Sequence, residues 1–142
     1  MTLALIAVTG SRRWQDTQLL EDTLCQTWHD ALADYTGIEL IHGCAEGADT
    51  LAGQWAHRNG IPVRERPADW TGPCTPDCPP GHRRRNRRGT EYCPLAGHRR
   101  NQQMVDEAPV LFVAAQVHGS TGTADRMRRA KKAGIPVHPI TA

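Results

Sequence analysis

The sequence predicts an α/β fold, an open and mostly parallel sheet flanked by helices. Two observations point there. Apolar runs of strand length alternate with segments whose apolar residues recur every three or four positions, and glycine-containing turns follow the runs. Leu3 to Val8 is a continuous apolar run, as in a strand buried on both faces, and it ends in Thr9-Gly10-Ser11. Asp16 is placed to cap a helix whose apolar positions are Leu20, Leu24, Trp28, Ala31 and Leu32, ending near Tyr35 to Gly37. Ile38 to His42 forms a second strand, followed by a glycine loop and a helix with Ala48, Leu51, Ala52, Trp55 and Ala56 on one face and Asn59-Gly60 as its stop. Ile61 to Arg66 reads as a third strand. Regular structure resumes with a helix around Arg99 to Glu107, a strand from Val110 to Ala115, a helix from about Thr123 to Ala133 stopped by Gly134, and a strand from Pro136 to Ile140. Strict alternation implies right-handed crossovers and parallel pairing, hence a Rossmann-like sheet.

The 142 residues suit one domain, residues 1–142, with an insertion at about 70–96. From Pro67 to Pro94 there are six prolines, three cysteines and a run of arginines, with little apolar periodicity. A loop of that length inside a domain needs something to organise it. No apolar run approaches the ~20 residues of a membrane span, which excludes a membrane protein. Leu3 to Val8 lacks a preceding basic residue and the length of a signal sequence, so a cytoplasmic chain is expected. Five cysteines in that setting favour metal binding or burial over disulfides. The net charge of +2 is unevenly spread: Trp70 to Arg100 carries seven arginines against Asp77 and Glu91. A basic block of this kind suits an anionic partner or a solvated loop.

Ligands of such sheets bind beyond the carboxyl ends of the strands. Three loops fall there: Thr9-Gly10-Ser11-Arg12-Arg13, Gly43-Cys44-Ala45-Glu46-Gly47-Ala48-Asp49, and His118-Gly119-Ser120-Thr121-Gly122-Thr123. Each joins glycine, which permits close backbone approach, to hydroxyls or amides that can donate to phosphate. Neither the P-loop nor the G-x-G-x-x-G pattern is present, which disfavours a standard NTPase or nicotinamide dehydrogenase. Packing can explain Trp14, Trp28 and Trp55, although Trp14 and Trp70 lie in loops near these ends, where they could stack on a base. Cys25 and Cys44 read as small buried residues.

Cys74-x3-Cys78-x3-His82-x10-Cys93 offers three thiolates and an imidazole in a segment with almost no core of its own. A structural zinc ion with all four positions filled by Cys74, Cys78, His82 and Cys93 would order it, with His98 as a reserve ligand. Arg83, Arg84, Arg85, Arg87 and Arg88 follow directly. They could clamp a phosphorylated ligand or contact nucleic-acid backbone, although only Tyr92 and Trp70 are at hand for stacking on single-stranded bases.

The order Thr9-Gly10-Ser11-Arg12, His42-Gly43-x-Ala45-x-Gly47-Ala48-Asp49, Ala68-Asp69-Trp70, Ala96-Gly97-x-Arg99-Arg100-Asn101-x-x-Met104 and Gly119-x-x-Gly122-Thr123 resembles the SLOG superfamily, most closely its YspA-like branch of bacteria and phages. The resemblance covers nearly the whole chain. It implies a Rossmann-like fold that binds nucleotides or nucleotide-derived molecules, and kinship with the LOG-type phosphoribohydrolases and the DNA-processing protein A group. On it, the expected ligand-binding residues are Gly10, Ser11, Arg12, Trp14, Gly43, Gly47, Asp49, Trp70, Arg100, Asn101, Gly119, Ser120, Thr121, Gly122 and Thr123. The LOG-type enzymes cleave an N-glycosidic bond with an arginine and a glutamate from two motifs. Arg100-Asn101-x-x-Met104 matches the first, whereas the second, at Gly122-Thr123-Ala124-Asp125-Arg126, has Arg126 in place of the glutamate. A guanidinium there opposes the positive charge of an oxocarbenium-like state. For such an enzyme Arg100, with Glu46, Asp125 or Asp49 as substitute acid, would be the catalytic set. The primary expectation is therefore binding of a nucleotide-derived, phosphate-bearing molecule without turnover. The alternatives are a nucleoside-monophosphate phosphoribohydrolase and a nucleic-acid-binding module built on the basic insertion. Relatives of this type often dimerise, although no helix shows an unexplained apolar stripe.

Overall fold

The computed structural model describes residues 2–118 and 121–142; Gly119 and Ser120, two of the expected ligand-binding residues, lie outside the described residues, and so does Met1. The elements in chain order are β1 (Leu3–Gly10), α1 (Thr17–Ala31), β2 (Gly37–His42), α2 (Ala48–Arg58), β3 (Val63–Glu65), β4 (Arg84–Arg85), β5 (Glu91–Tyr92), α3 (Ala96–Asp106), β6 (Leu111–Gln116), α4 (Thr121–Lys132) and β7 (Val137–Thr141). Five strands form one sheet in the order β3-β2-β1-β6-β7, every neighbouring pair parallel, and β4 and β5 form a separate antiparallel ribbon. The fold is the Rossmann-like α/β sheet the sequence predicts. No helix among the described residues is long and apolar enough to cross a membrane.

Burial follows from the pleat. Ala4, Ile6 and Val8 of β1 point to one face and join Leu20, Leu24, Ala48, Ala52 and Trp55 of α1 and α2. Leu5 and Ala7 point to the other, against Met104 and Val105 of α3 and Ala130 of α4. Because β1 is buried on both faces, an alternating pattern is absent from its sequence and a continuous apolar run takes its place. Asp16 caps α1 as expected, its Oδ1 accepting from the Leu19 N–H at 3.0 Å. Trp28 and Trp55 meet edge to face, ring centroids 5.9 Å apart, and lock α1 to α2.

The departures are local. Leu32 follows the end of α1 and is exposed, so it does not extend the buried face. Cys25 and Cys44 are exposed rather than buried: Cys25 comes one residue, about 100° of helix rotation, after buried Leu24, and Cys44 sits at φ 60° in a turn. Strand β3 is shorter than Ile61 to Arg66, with Ile61 filling the core ahead of it. Helix α3 starts at Ala96, earlier than Arg99, because the metal-ligand cluster leads straight into its first turn.

Candidate functional site

Strand β1 is followed by α1 and β2 on one side of the sheet, while β6 pairs on its other side, so the chain reverses its order of strands between β1 and β6. A crevice forms at such a switch point, beyond the carboxyl ends of the strands. Here it measures about 730 Å³ and is lined from β1 and its loop by Gly10, Ser11, Arg12 and Arg13, from the insertion by Trp70, from α3 by Gly97, Arg100 and Asn101, and from α4 by Thr123, Asp125 and Arg126. Pro94 and His98 complete the wall.

Close approach of backbone makes the floor. Any side chain at Gly10 would strike the Ala115 carbonyl, 2.7 Å from where its Cβ would stand, and Ala48 besides. Gly47, at φ 77°, turns the second loop beneath the first, where a Cβ would meet the Arg12 carbonyl at 2.7 Å. Ser11 is pinned in between: its N–H donates to Ala115 O at 2.9 Å, and its Oγ accepts from the Arg13 N–H at 3.1 Å.

The charges are arranged in two sets. Asp49, wholly buried in the first turn of α2, organises the second loop by accepting from the Gly43 and Ala45 N–H groups at 2.9 and 3.3 Å. Its other oxygen has no hydrogen-bond partner among the described residues and faces the Arg126 guanidinium at 3.8 Å. Arg126 also donates to the Thr9 hydroxyl, and its Nε is buried with no hydrogen-bond partner among the described residues. Arg100 donates from Nη1 to the Gly43 carbonyl at 2.5 Å and from Nε to Asn101 Oδ1 at 3.0 Å. Burial, and then the Arg126 charge, lower the pKa of Arg100; burial lowers that of Arg126, with Arg12 adding to it against the pull of Asp49. Guanidinium groups from three elements thus crowd one crevice.

Asp125 belongs to a second set. It accepts from Asn101 Nδ2 at 2.9 Å, from Arg128 at 2.5 Å and from Arg129 at 2.9 Å, with His98 3.4 Å away. Burial pushes its carboxyl up, but the Asn101 hydrogen bond and the Arg129 and His98 charges outweigh this and hold it below the ordinary range. Its oxygens are committed to neighbours. Glu46 is exposed on the β2–α2 loop and does not line the crevice. Trp14 is packed in the core beside α1, its indole N–H donating to Asp16 O at 2.9 Å, and it also stands apart from the crevice. Trp70 does line it, its ring over Gly97. Gly43 and Gly47 support the floor, Thr121 and Gly122 open α4, and Thr123 is buried at the crevice wall. Sequence reasoning missed the wall residues Arg13, Pro94, Gly97 and His98, and took Arg126 only for an absent acid. The single turn of helix that separates Arg126 from Gly122 was the available signal that its side chain reaches the same end of the sheet.

Beside the crevice, the ligand atoms of Cys74, Cys78, His82 and Cys93 all lie within 4.8 Å of one another. Cys78 and Cys93 sulfurs are 3.8 Å apart, and His82 Nε2 is 3.0 Å from Cys74 Sγ and 3.4 Å from Cys93 Sγ. Tetrahedral Zn–S bonds of about 2.3 Å place two sulfurs about 3.8 Å apart, so the spacing suits a tetrahedral ion. Arg99 donates to the sulfurs of Cys78 and Cys93, both at 3.5 Å, and Arg83 to Cys74 at 3.5 Å. Burial pushes the Cys93 thiol up, but Arg99, the Leu95 backbone and the neighbouring thiols bring it down to about 6. A group of this composition can hold a metal ion. The cluster is joined to the crevice through the Cys93 N–H, which donates to the Trp70 carbonyl at 2.8 Å.

The chain resembles known proteins in both sequence and fold. The family model described as YspA, cpYpsA-related SLOG family matches residues 5–72. The Gene 61 protein of Mycobacterium phage D29 is 33% identical over 138 residues, covering 93% of this chain and 92% of that protein. The X-ray structure of DNA processing protein A (DprA) from Streptococcus pneumoniae is similar with a TM-score of 0.66 at 18% identity, over 99% of this chain. That alignment takes in 51% of DprA, so the chain spans about half the length of that protein, and the likeness is one of fold.

Proposed function

The chain belongs to the YspA- and cpYpsA-related SLOG family, and from that premise we propose that it binds a nucleotide-derived, phosphate-bearing small molecule in the crevice between β1 and β6, without turning it over. One observation carries the reading: Arg12, Arg100 and Arg126 converge on a single crevice in which burial and repulsion between guanidinium groups disfavour the charges of Arg100 and Arg126. A phosphate group between them relieves both costs, and the Gly10-Ser11 turn and the start of α4 supply backbone N–H groups beside it. Trp70 offers an aromatic face for the base. The case against glycosidic cleavage rests on the carboxylates: Arg126 occupies the motif position of the acid, and Asp125 is held by Asn101, Arg128 and Arg129. In the insertion, Cys74, Cys78, His82 and Cys93 hold a structural zinc ion in this reading, supported by thiolate-favouring donors and spacings that suit a tetrahedral ion.

The test is calorimetric titration of the full chain with nucleoside mono- and diphosphates, with chromatography of the same mixtures for released base. Saturable binding without base release is expected, weakened about tenfold by Arg12→Ala, since a hydrogen bond to a charged group contributes about 1.5–3 kcal/mol. Arg12 is exposed, so its loss spares the core. Release of free base at a steady rate would instead establish a phosphoribohydrolase.

A further inference from the structure

The crevice makes no use of the ribbon that projects from the insertion. Strands β4 and β5 pair as Arg84↔Tyr92 and Arg85↔Glu91, and the turn between them is closed by Asn86, whose Oδ1 accepts from the N–H groups of Arg88 and Thr90 at 2.9 and 3.0 Å. Arg84, Arg85, Arg87 and Arg88 are all exposed. Glu91, the single acid of the ribbon, is taken by Arg83 at 2.8 Å and lies 3.9 Å from Arg85. Arg84, Arg87 and Arg88 have no carboxylate partner among the described residues.

We propose that this ribbon is a docking finger for double-stranded nucleic acid, entering a groove and gripping the phosphates on both of its walls. The placement of the charges selects this occupant. Successive residues of a strand point to opposite faces, so Arg84 and Arg85 leave the ribbon in opposite directions, with Arg87 and Arg88 at its tip. A flat anionic surface engages one face of such a ribbon, whereas a groove presents phosphates to both. The major groove of B-form DNA, about 12 Å wide, admits a two-stranded ribbon. The positions from 84 to 90 carry no apolar side chain that would enter a bilayer. All four exposed charges are arginines, three of them without a carboxylate partner among the described residues, and their planar fork matches phosphate oxygens in pairs. The base of the finger is stiff, because Arg83 donates to Gly72 O at 2.8 Å and His82 and Cys93 belong to the metal-ligand cluster, so little ordering accompanies docking. With phosphate contacts alone, the grip carries no base sequence information.

The experiment is fluorescence anisotropy of a labelled duplex with the full chain at salt concentrations from about 50 to 200 mM. Four phosphate contacts give a slope of about −3.6 in log affinity against log salt, a loss of about a hundredfold over that range. The combined variant Arg84→Gln, Arg85→Gln, Arg87→Gln and Arg88→Gln, with its circular dichroism unchanged, is expected to abolish that binding. Arg12→Ala in the crevice is expected to leave duplex affinity within about twofold, which separates this proposal from the small-molecule reading. Absence of binding at the lowest salt overturns the proposal, as does binding that the four substitutions leave intact. Tighter binding of the single strand, lost on Trp70→Ala, overturns groove docking as well, and so does retention on phosphatidylserine vesicles without duplex binding.

Discussion

Asp49 has no exposed surface, and its two oxygens serve different masters, the backbone of the second loop and the Arg126 guanidinium. Removing it leaves Arg126 buried and uncompensated, so Asp49→Ala is expected to destabilise the chain by about 3–5 kcal/mol, read from urea unfolding. Arg126→Met of similar volume removes the charge that Asp49 answers and is expected to restore part of that loss in the double variant, since the two residues act as a unit. Glu107 makes the complementary case at the other end of α3. It accepts from Arg66 Nε and Nη2 at 2.8 and 2.6 Å and lies 3.5 Å from Arg64. The Arg66 hydrogen bonds, helped by the Arg66 and Arg64 charges and opposed by burial, hold its carboxyl below the usual range. A carboxylate depressed in the folded state binds fewer protons there than in the unfolded state. Its contribution is therefore complete above the unfolded pKa of about 4.3 and is lost as pH falls through the folded value. Glu107→Gln is expected to be less stable than the parent at pH 7, and the gap to close as pH falls below about 4.3, measured as the difference in unfolding midpoint.

At the scale of the element, the insertion is where order depends on something other than apolar burial. Ahead of α3, its only described residue in the buried hydrophobic core is Cys93, and its ribbon has two residues per strand, too few to stand alone in water. Chelation of a bound zinc ion is expected to release the ribbon while the parallel sheet persists, seen as rapid hydrogen exchange confined to about residues 72–95; cobalt substitution should give the absorption of a tetrahedral Cys3His centre. Elements of this chain were legible in proportion to their apolar pattern. Leu3 to Val8 and the face from Leu20 to Leu24 declared β1 and α1, and the cysteine spacing declared the metal-ligand cluster. The α3 start was hidden, because Ala96 and Gly97 carry no cap signal and owe their helical turn to the cluster before them. Of the expected ligand residues, the backbone ones were readable from glycine, whereas Trp14 misled: an aromatic after a glycine loop suits stacking on a base and packing under α1 equally well, and only tertiary contacts separate the two.

For the molecule as a whole, the order β3-β2-β1-β6-β7 places the arginine-lined crevice at the centre of the sheet and the insertion on the long crossover from β3 to α3. That crossover must pass from one edge of the sheet to the other side of β1, and its route runs beside the crevice, which is why Trp70 and Pro94 become wall residues although they stand far from β1 in sequence. Length and composition can change there without disturbing a strand pair of the parallel sheet. The same topology sets an order of assembly. The half built from β1, α1, β2 and α2 has its partners within the first 58 residues, but Arg100 reaches Gly43 across 57 positions and Arg126 reaches Thr9 across 117. On a ribosome, where domains emerge from the N-terminus at about 5–20 residues per second, the crevice is consequently among the last parts to close. Through several seconds of synthesis the exposed edge of β1 waits for β6, so a nascent chain lacks its recognition chemistry until nearly all of these residues have emerged, and that open edge is its period of greatest exposure to mispairing.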